Sequence, residues 1–150
     1  MAHVDVITVE EISRAQADVA AYACDPDNAP AWYENIEQVE WQTPRPLGVG
    51  SRVTFVAHFL GRRLQYTYEV TAYQPGETLV MRTHEGPFPM ETSYTFATVA
   101  PARTRIELRN RGKPSGFARL ARPFVERAMR RANRNDLSVL KRILERGETS

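Results

Sequence analysis

SGFARLARPFVERAMRRANRNDLSVLKRILE, residues 115 to 145, decides the fold. It reads as one long helix, Ser115 to about Glu145, with bulky apolar residues at both ends. Phe117, Leu120, Phe124 and Val125 open it, and Val139, Leu140 and Ile143 close it. Ala128, Ala132 and Asn135 fall between them, at spacings of three and four that keep them on the same stripe. A close-packed interior wants large side chains throughout. A helix held at both ends and slim in the middle leaves room beneath it, so the stretch predicts a protein built around a cavity. Pro123 is compatible with this in a first turn or at a mild kink, because proline disrupts only the turn before it.

Upstream, the chain punctuates itself into short elements. Val4 to Glu11 is rich in Val, Ile and Thr and predicts a strand. Ser13, with Gln16 three residues on, predicts a capped helix over roughly Arg14 to Ala23. Asp25-Pro26 starts a second short helix ending at Trp32 and Tyr33, with Asp as cap and Pro in the first turn. Six strands follow: Ile36 to Gln42, Ser51 to Leu60, Arg63 to Tyr73, Thr78 to His84, Met90 to Val99 and Thr104 to Asn110. Pro44 to Gly50, Gly61, Gln74-Pro75-Gly76, Gly86-Pro87-Phe88-Pro89 and Ala100-Pro101-Ala102-Arg103 separate them. Turn signals this regular predict an antiparallel meander.

Alternation assigns the faces. Val53, Phe55, Ala57 and Phe59 share one side of their strand, and Leu64, Tyr66, Tyr68 and Val70 one side of the next. Leu79, Met81 and Thr83, then Thr92, Tyr94 and Phe96, then Ile106 and Leu108 continue that apolar face. Arg52, Thr54, His58, Gln65, Glu69, Arg82, Glu91 and Arg105 point the other way. The apolar face needs a cover. Thirty helical residues span roughly 45 Å, enough to cross it.

Composition bounds the rest. With 150 residues, 42% hydrophobic and 25% charged, the chain is expected to fold as a single globular domain over 1–150. One cysteine, Cys24, rules out an internal disulfide; a reducing, cytoplasmic setting is expected, with no signal peptide and no span long enough for a bilayer. Charge is divided unevenly. Residues 1–102 carry six Lys+Arg against thirteen Asp+Glu, and residues 103–150 carry fourteen against five. The basic end is either a solvated helix face or a docking surface for something acidic.

Strand, two short helices, six strands and a long helix is the order of the helix-grip fold, an α+β architecture in which a curved antiparallel sheet wraps around a C-terminal helix. The residues in that order are Asp25-Pro26 with Pro30 and Trp32, Gly48-Val49-Gly50-Ser51-Arg52, Val70 with Tyr73-Gln74-Pro75-Gly76, Thr104-Arg105-Ile106, and Asn135-Asp136-Leu137 with Leu140-Lys141. On these the whole chain resembles the START-like superfamily, in its polyketide cyclase/dehydrase-like branch. The resemblance implies a hydrophobic ligand cavity between sheet and helix. It does not fix the substrate, since fold does not determine function.

Phe55, Tyr66, Tyr68, Met81 and Tyr94 form the centre of the predicted concave face, with Phe124 and Ala128 opposite on the helix. Together these seven are the expected ligand-binding walls of a cavity of roughly 300–1,000 Å³. Each could equally be ordinary core. Trp32 is expected to plug one end of the core, and Asn135 to bridge to the sheet or meet a ligand. Asp136 is expected on a helix flank. His3, His58 and His84 show no ligand spacing, and no GxGxxG or GxxxxGK[ST] occurs, so no metal or cofactor is expected. Cys24 is expected to be a buried, inert thiol. No carboxylate or histidine falls plainly on the concave face, leaving tyrosines as the proton-moving candidates.

Three functions stay open: a carrier or sensor for a lipid, isoprenoid or polyketide-like molecule; a cyclase, aromatase or dehydratase using the same cavity; and an interaction protein. The last would use Arg119, Arg127, Arg130 and Arg134, with Lys141, in weak electrostatic contacts rather than specific nucleic-acid recognition. A buried carboxylate or histidine on the concave face would favour the enzyme.

Overall fold

A computed structural model describes residues 4–59, 61–85, 89–113 and 122–147. In chain order its elements are β1 (Val4–Ile12), α1 (Gln16–Ala23), a 3-10 turn (Pro26–Asn28), α2 (Ala29–Trp32), β2 (Ile36–Trp41), β3 (Arg52–Phe59), β4 (Arg62–Gln74), β5 (Thr78–Glu85), β6 (Met90–Ala100), β7 (Arg103–Gly112) and α3 (Arg122–Arg146). The strands form one antiparallel sheet in the order β1-β7-β6-β5-β4-β3-β2. This is the helix-grip arrangement. Register shifts in β2, in β4 between Val70 and Ala72, and at the end of β6 insert extra residues on one strand of a pair, which bends the sheet. Gly61 and Gly76 make the tight β3–β4 and β4–β5 turns at φ of +76° and +85°, where a side chain would be strained.

The predicted faces hold except at Thr54, which alternation points toward solvent but which is 2% exposed, its hydroxyl paired with that of Thr67 and accepting from the Gln42 side-chain amide. Val53, Phe55, Leu79, Met81, Thr92, Tyr94, Phe96, Ile106 and Leu108 are buried on the inner face, whereas Arg52, His58, Gln65, Arg82 and Arg105 are exposed. Ion pairs lace the outer face. Arg109 meets Asp5 at 2.7 Å, and Arg82 and Arg111 both reach Glu91. Such exposed pairs are worth about 0–1 kcal/mol each.

Two local expectations fare differently. Asp25 does cap the 3-10 turn, accepting from the Asp27 amide with Pro26 in the first turn. The Ser13/Gln16 capping box does not form: α1 begins later, with Ala15 at its cap position and no side-chain cap bond. The Gln16 amide is drawn away to the sheet, donating to the carbonyls of Gly76 and Phe96 and accepting from the Thr98 hydroxyl. That tertiary use of the side chain outcompetes the local cap.

The helix α3 carries the decisive packing. Its last turns bury Leu137, Leu140 and Leu144 in the main core with Ile12, Val19 and Trp32. Near its described start, Val125 and Met129 close on Val4 and Val6 of β1 in a separate small cluster. Arg14 donates to the Leu144 carbonyl and the Ser13 amide to Glu145, fastening the carboxyl end. Phe117, Arg119 and Leu120 lie outside the described residues.

Candidate ligand cavity

Alternation on four strands aims Phe55 and Ala57, Leu64, Tyr66 and Tyr68, Leu79 and Met81, and Met90, Thr92 and Tyr94 at one space, joined by Asn110 from β7. From α3, Met129, Ala132, Asn133 and Asp136 face it. The segment from Ala23 to Pro26, with Ala29, Tyr33, Asn35 and Ile36, closes the third side. The cavity measures about 170 Å³. That is smaller than the expected range of roughly 300–1,000 Å³. It is on the scale of the engineered apolar cavity of about 150 Å³ that accepts benzene. Ile36, Ala57, Leu64, Tyr66, Met129 and Ala132 are only partly buried and mark its open side.

Of the seven expected wall residues, Phe55, Tyr66, Tyr68, Met81 and Tyr94 line the cavity. Phe124 and Ala128 do not. Phe124 is 62% exposed and Ala128 only half-buried, because the inward stripe of α3 is turned by one residue. Val125, Met129, Asn133, Asp136, Leu140 and Leu144 form it, at steps of four, four, three, four and four. Asn135 consequently faces outward, where its amide donates to Glu34.

The same rotation brings in a carboxylate that sequence reasoning placed on a flank. Asp136 is 2% exposed and lines the cavity. Its Oδ1 accepts from the Glu34 amide at 3.0 Å, which holds the side chain against the α2–β2 turn. Burial raises its pKa to about 6; the nearby Glu34 carboxylate adds to this, and the amide bond and Asn135 oppose it. A carboxyl group with that affinity can take or give a proton near neutral pH.

The tyrosines suit another task. Burial holds Tyr33, Tyr68 and Tyr94 above the ordinary phenol range, so they remain protonated and serve as hydrogen-bond donors rather than proton shuttles. Tyr33 and Tyr94 bond hydroxyl to hydroxyl. One proton lies between them, which leaves the other O–H for a ligand oxygen. Thr92 donates to Asn110 at 2.9 Å, and its oxygen is 3.5 Å from the Tyr68 hydroxyl.

Other candidates resolve structurally. Trp32 is buried outside the cavity wall and packs on Tyr33 and Tyr94, a core plug. Cys24 lines the cavity, but burial pushes its thiol up to about 12, so it stays a thiol. His58 is exposed beside Glu37 at 3.1 Å, and His84 is exposed 4.0 Å from Glu69; His3 lies outside the described residues. Among the described residues no group of three or more His, Cys, Asp and Glu could hold a metal ion. No helix among them is long and apolar enough to cross a membrane.

A family model described as polyketide cyclase / dehydrase and lipid transport matches residues 3–145. The chain belongs to that family. No curated protein matches the chain in sequence. Several solved structures share its polyketide cyclase / dehydrase fold. TTHA0849 from Thermus thermophilus superposes with a TM-score of 0.83 at 19% identity, over 97% of this chain and 99% of that one. The Zhui aromatase/cyclase from Streptomyces sp. R1128 gives 0.80 at 18%, over 97% and 95%. A START superfamily protein from Mycobacterium smegmatis gives 0.72 at 14%, over 99% and 97%. At these identities the likeness is one of fold.

Proposed function

We propose that this protein is a cytoplasmic carrier or sensor that binds a compact hydrophobic or aromatic small molecule between the sheet and α3. The observation that carries the reading is the cavity itself: an apolar space with a few polar tips, the usual form of a small-molecule site. Its volume favours one or two rings, or a short isoprenoid, over a long acyl or polyketide chain. Phe55, Tyr66, Tyr68, Met81 and Tyr94 are the proposed apolar contacts, with Met129 and Ala132 taking the places expected of Phe124 and Ala128. Native mass spectrometry of freshly purified protein tests this. An added mass of a few hundred daltons, released on denaturation, supports the reading. An empty protein that also fails to take up an apolar fluorescent probe rejects it.

Asp136 favours a second reading, an enzyme of the cyclase, aromatase or dehydratase type. A buried carboxyl group that titrates near neutrality could remove a proton from carbon next to a carbonyl, or protonate a departing hydroxyl. The tyrosine pair would hold the developing oxyanion. The family description and the aromatase/cyclase relative support this direction. Turnover of an oxygenated aromatic precursor that is lost in Asp136→Asn, with binding retained, would favour it over the carrier.

The basic helix face is a weaker surface than its charge suggests. Arg127 and Arg134 are exposed, Arg130 is half-buried, and Lys141 is 3.6 Å from Glu10; Arg119 lies outside the described residues. Changing Arg127, Arg130 and Arg134 to Gln should leave folding and probe uptake unchanged. If the face is functional, the change should lower retention on anionic vesicles at low salt, an effect that fades as salt screens the charges. Unchanged retention would make it a solvated surface.

A further inference from the structure

Three side-chain polar atoms are buried without a hydrogen-bond partner among the described residues: Thr8 Oγ1, Trp32 Nε1 and Asn133 Nδ2. Only Asn133 belongs to the cavity wall. Its residue is 6% exposed, on the inward stripe of α3 one turn before Asp136. Helix interiors do not favour asparagine, and a buried amide donor without an acceptor is unfavourable, so its position asks for a partner. Of the other polar groups at hand, Asp136 accepts from the Glu34 amide and Thr92 donates to Asn110, while the Tyr33–Tyr94 pair keeps one O–H as a second donor for a ligand oxygen.

We propose that Asn133 is a specificity residue that donates from Nδ2 to a carbonyl oxygen of the bound molecule, so that the ligand is an uncharged aromatic or alicyclic carbonyl compound rather than a hydrocarbon, an alkyl lipid or a carboxylate. A donor selects an acceptor. The Asp136 carboxylate one helical turn away repels an anionic acceptor once ionised. The apolar walls at Phe55, Leu79, Met81 and Met90 take the carbon skeleton. The inference rests on the cavity being a ligand site.

Acetophenone and α-methylstyrene test it. They share size, shape and planarity and differ by an oxygen in place of a methylene group. Binding of each is titrated by NMR to wild type and to Asn133→Leu. In the variant, acetophenone should weaken roughly three- to tenfold, the ratio expected for one buried neutral hydrogen bond, while α-methylstyrene binds within twofold of wild type. The empty variant should also melt roughly 2–4 °C higher, because an unsatisfied donor has been removed. Equal weakening of both probes, an unaffected ketone, or a variant that melts lower or fails to fold would each overturn the role of Asn133. If neither probe binds wild type, the cavity reading itself fails, a result distinct from the other three.

Discussion

Asp136→Asn should stabilise the protein by about 2–3 kcal/mol at pH 8 and leave it nearly unchanged at pH 4. The carboxyl group moves from an ordinary 3.8 to about 6 on folding. A tenfold change in proton affinity is worth about 1.4 kcal/mol. The folded state therefore binds more protons than the unfolded chain between those two values. Below about pH 4 both states are protonated and Asp136 carries no penalty. As pH rises through 6 the folded protein must hold a buried negative charge, and wild type loses that increment of stability. Asparagine keeps an oxygen for the Glu34 amide and never ionises. Urea denaturation of wild type and variant at both pH values measures the difference. An equal change in stability at pH 4 and pH 8 would show that the carboxyl group titrates normally and is not held in the cavity.

Ala132→Phe should abolish probe uptake, weakening an apolar probe at least roughly tenfold, or about 1.4 kcal/mol. Ala132 lines the cavity from α3, and a phenyl ring there would occupy the space. Stability separates the alternatives. A ring entering free volume gains contacts, whereas a ring forced into a packed interior costs about 1–3 kcal/mol. Ala128→Phe is the matched control, since Ala128 is half-buried and away from the wall. Loss of binding in the Ala128 variant alone would restore the helix phase that puts Phe124 inside and would remove Asn133 and Asp136 from the site.

Much of this was legible in the chain. Strands with strict alternation, such as Thr92 to Phe96 and Arg105 to Leu108, declare an inner face because a slip of one residue would bury Arg105 or expose Tyr94. The sheet side of the cavity followed from that pattern. The helix side did not, because a 3.6-residue period tolerates neighbouring phases and Phe124 and Val125 are adjacent apolar residues. Taking both as inward carries the stripe on through Ala128, Ala132 and Asn135, and polar Asn133 and Asp136 then look like surface. The signal that favours the true phase is the series Val125, Met129, Asn133, Asp136, Leu140 and Leu144, which keeps helical spacing only if two polar residues are accepted inside. Such residues defeat hydropathy reading where a site is built against the preference of the fold. Cavity volume was not legible either, since it depends on how closely α3 settles on the sheet.

The unequal anchoring of α3 has a kinetic consequence. Its carboxyl-terminal turns belong to the large core, while its described beginning is held by Val125 and Met129 against Val4 and Val6. Local opening follows the smaller set of buried contacts, which among the described residues is the one at Val125 and Met129. Breaking the small cluster frees the turns around Met129 and Ala132, on the open side of the cavity, and leaves Leu137, Leu140 and Leu144 seated. On the carrier reading, a molecule wider than the resting opening would enter and leave by fraying one end of the helix, with the sheet acting as a fixed mould, and its exchange would follow the lifetime of that frayed state rather than the size of the resting opening.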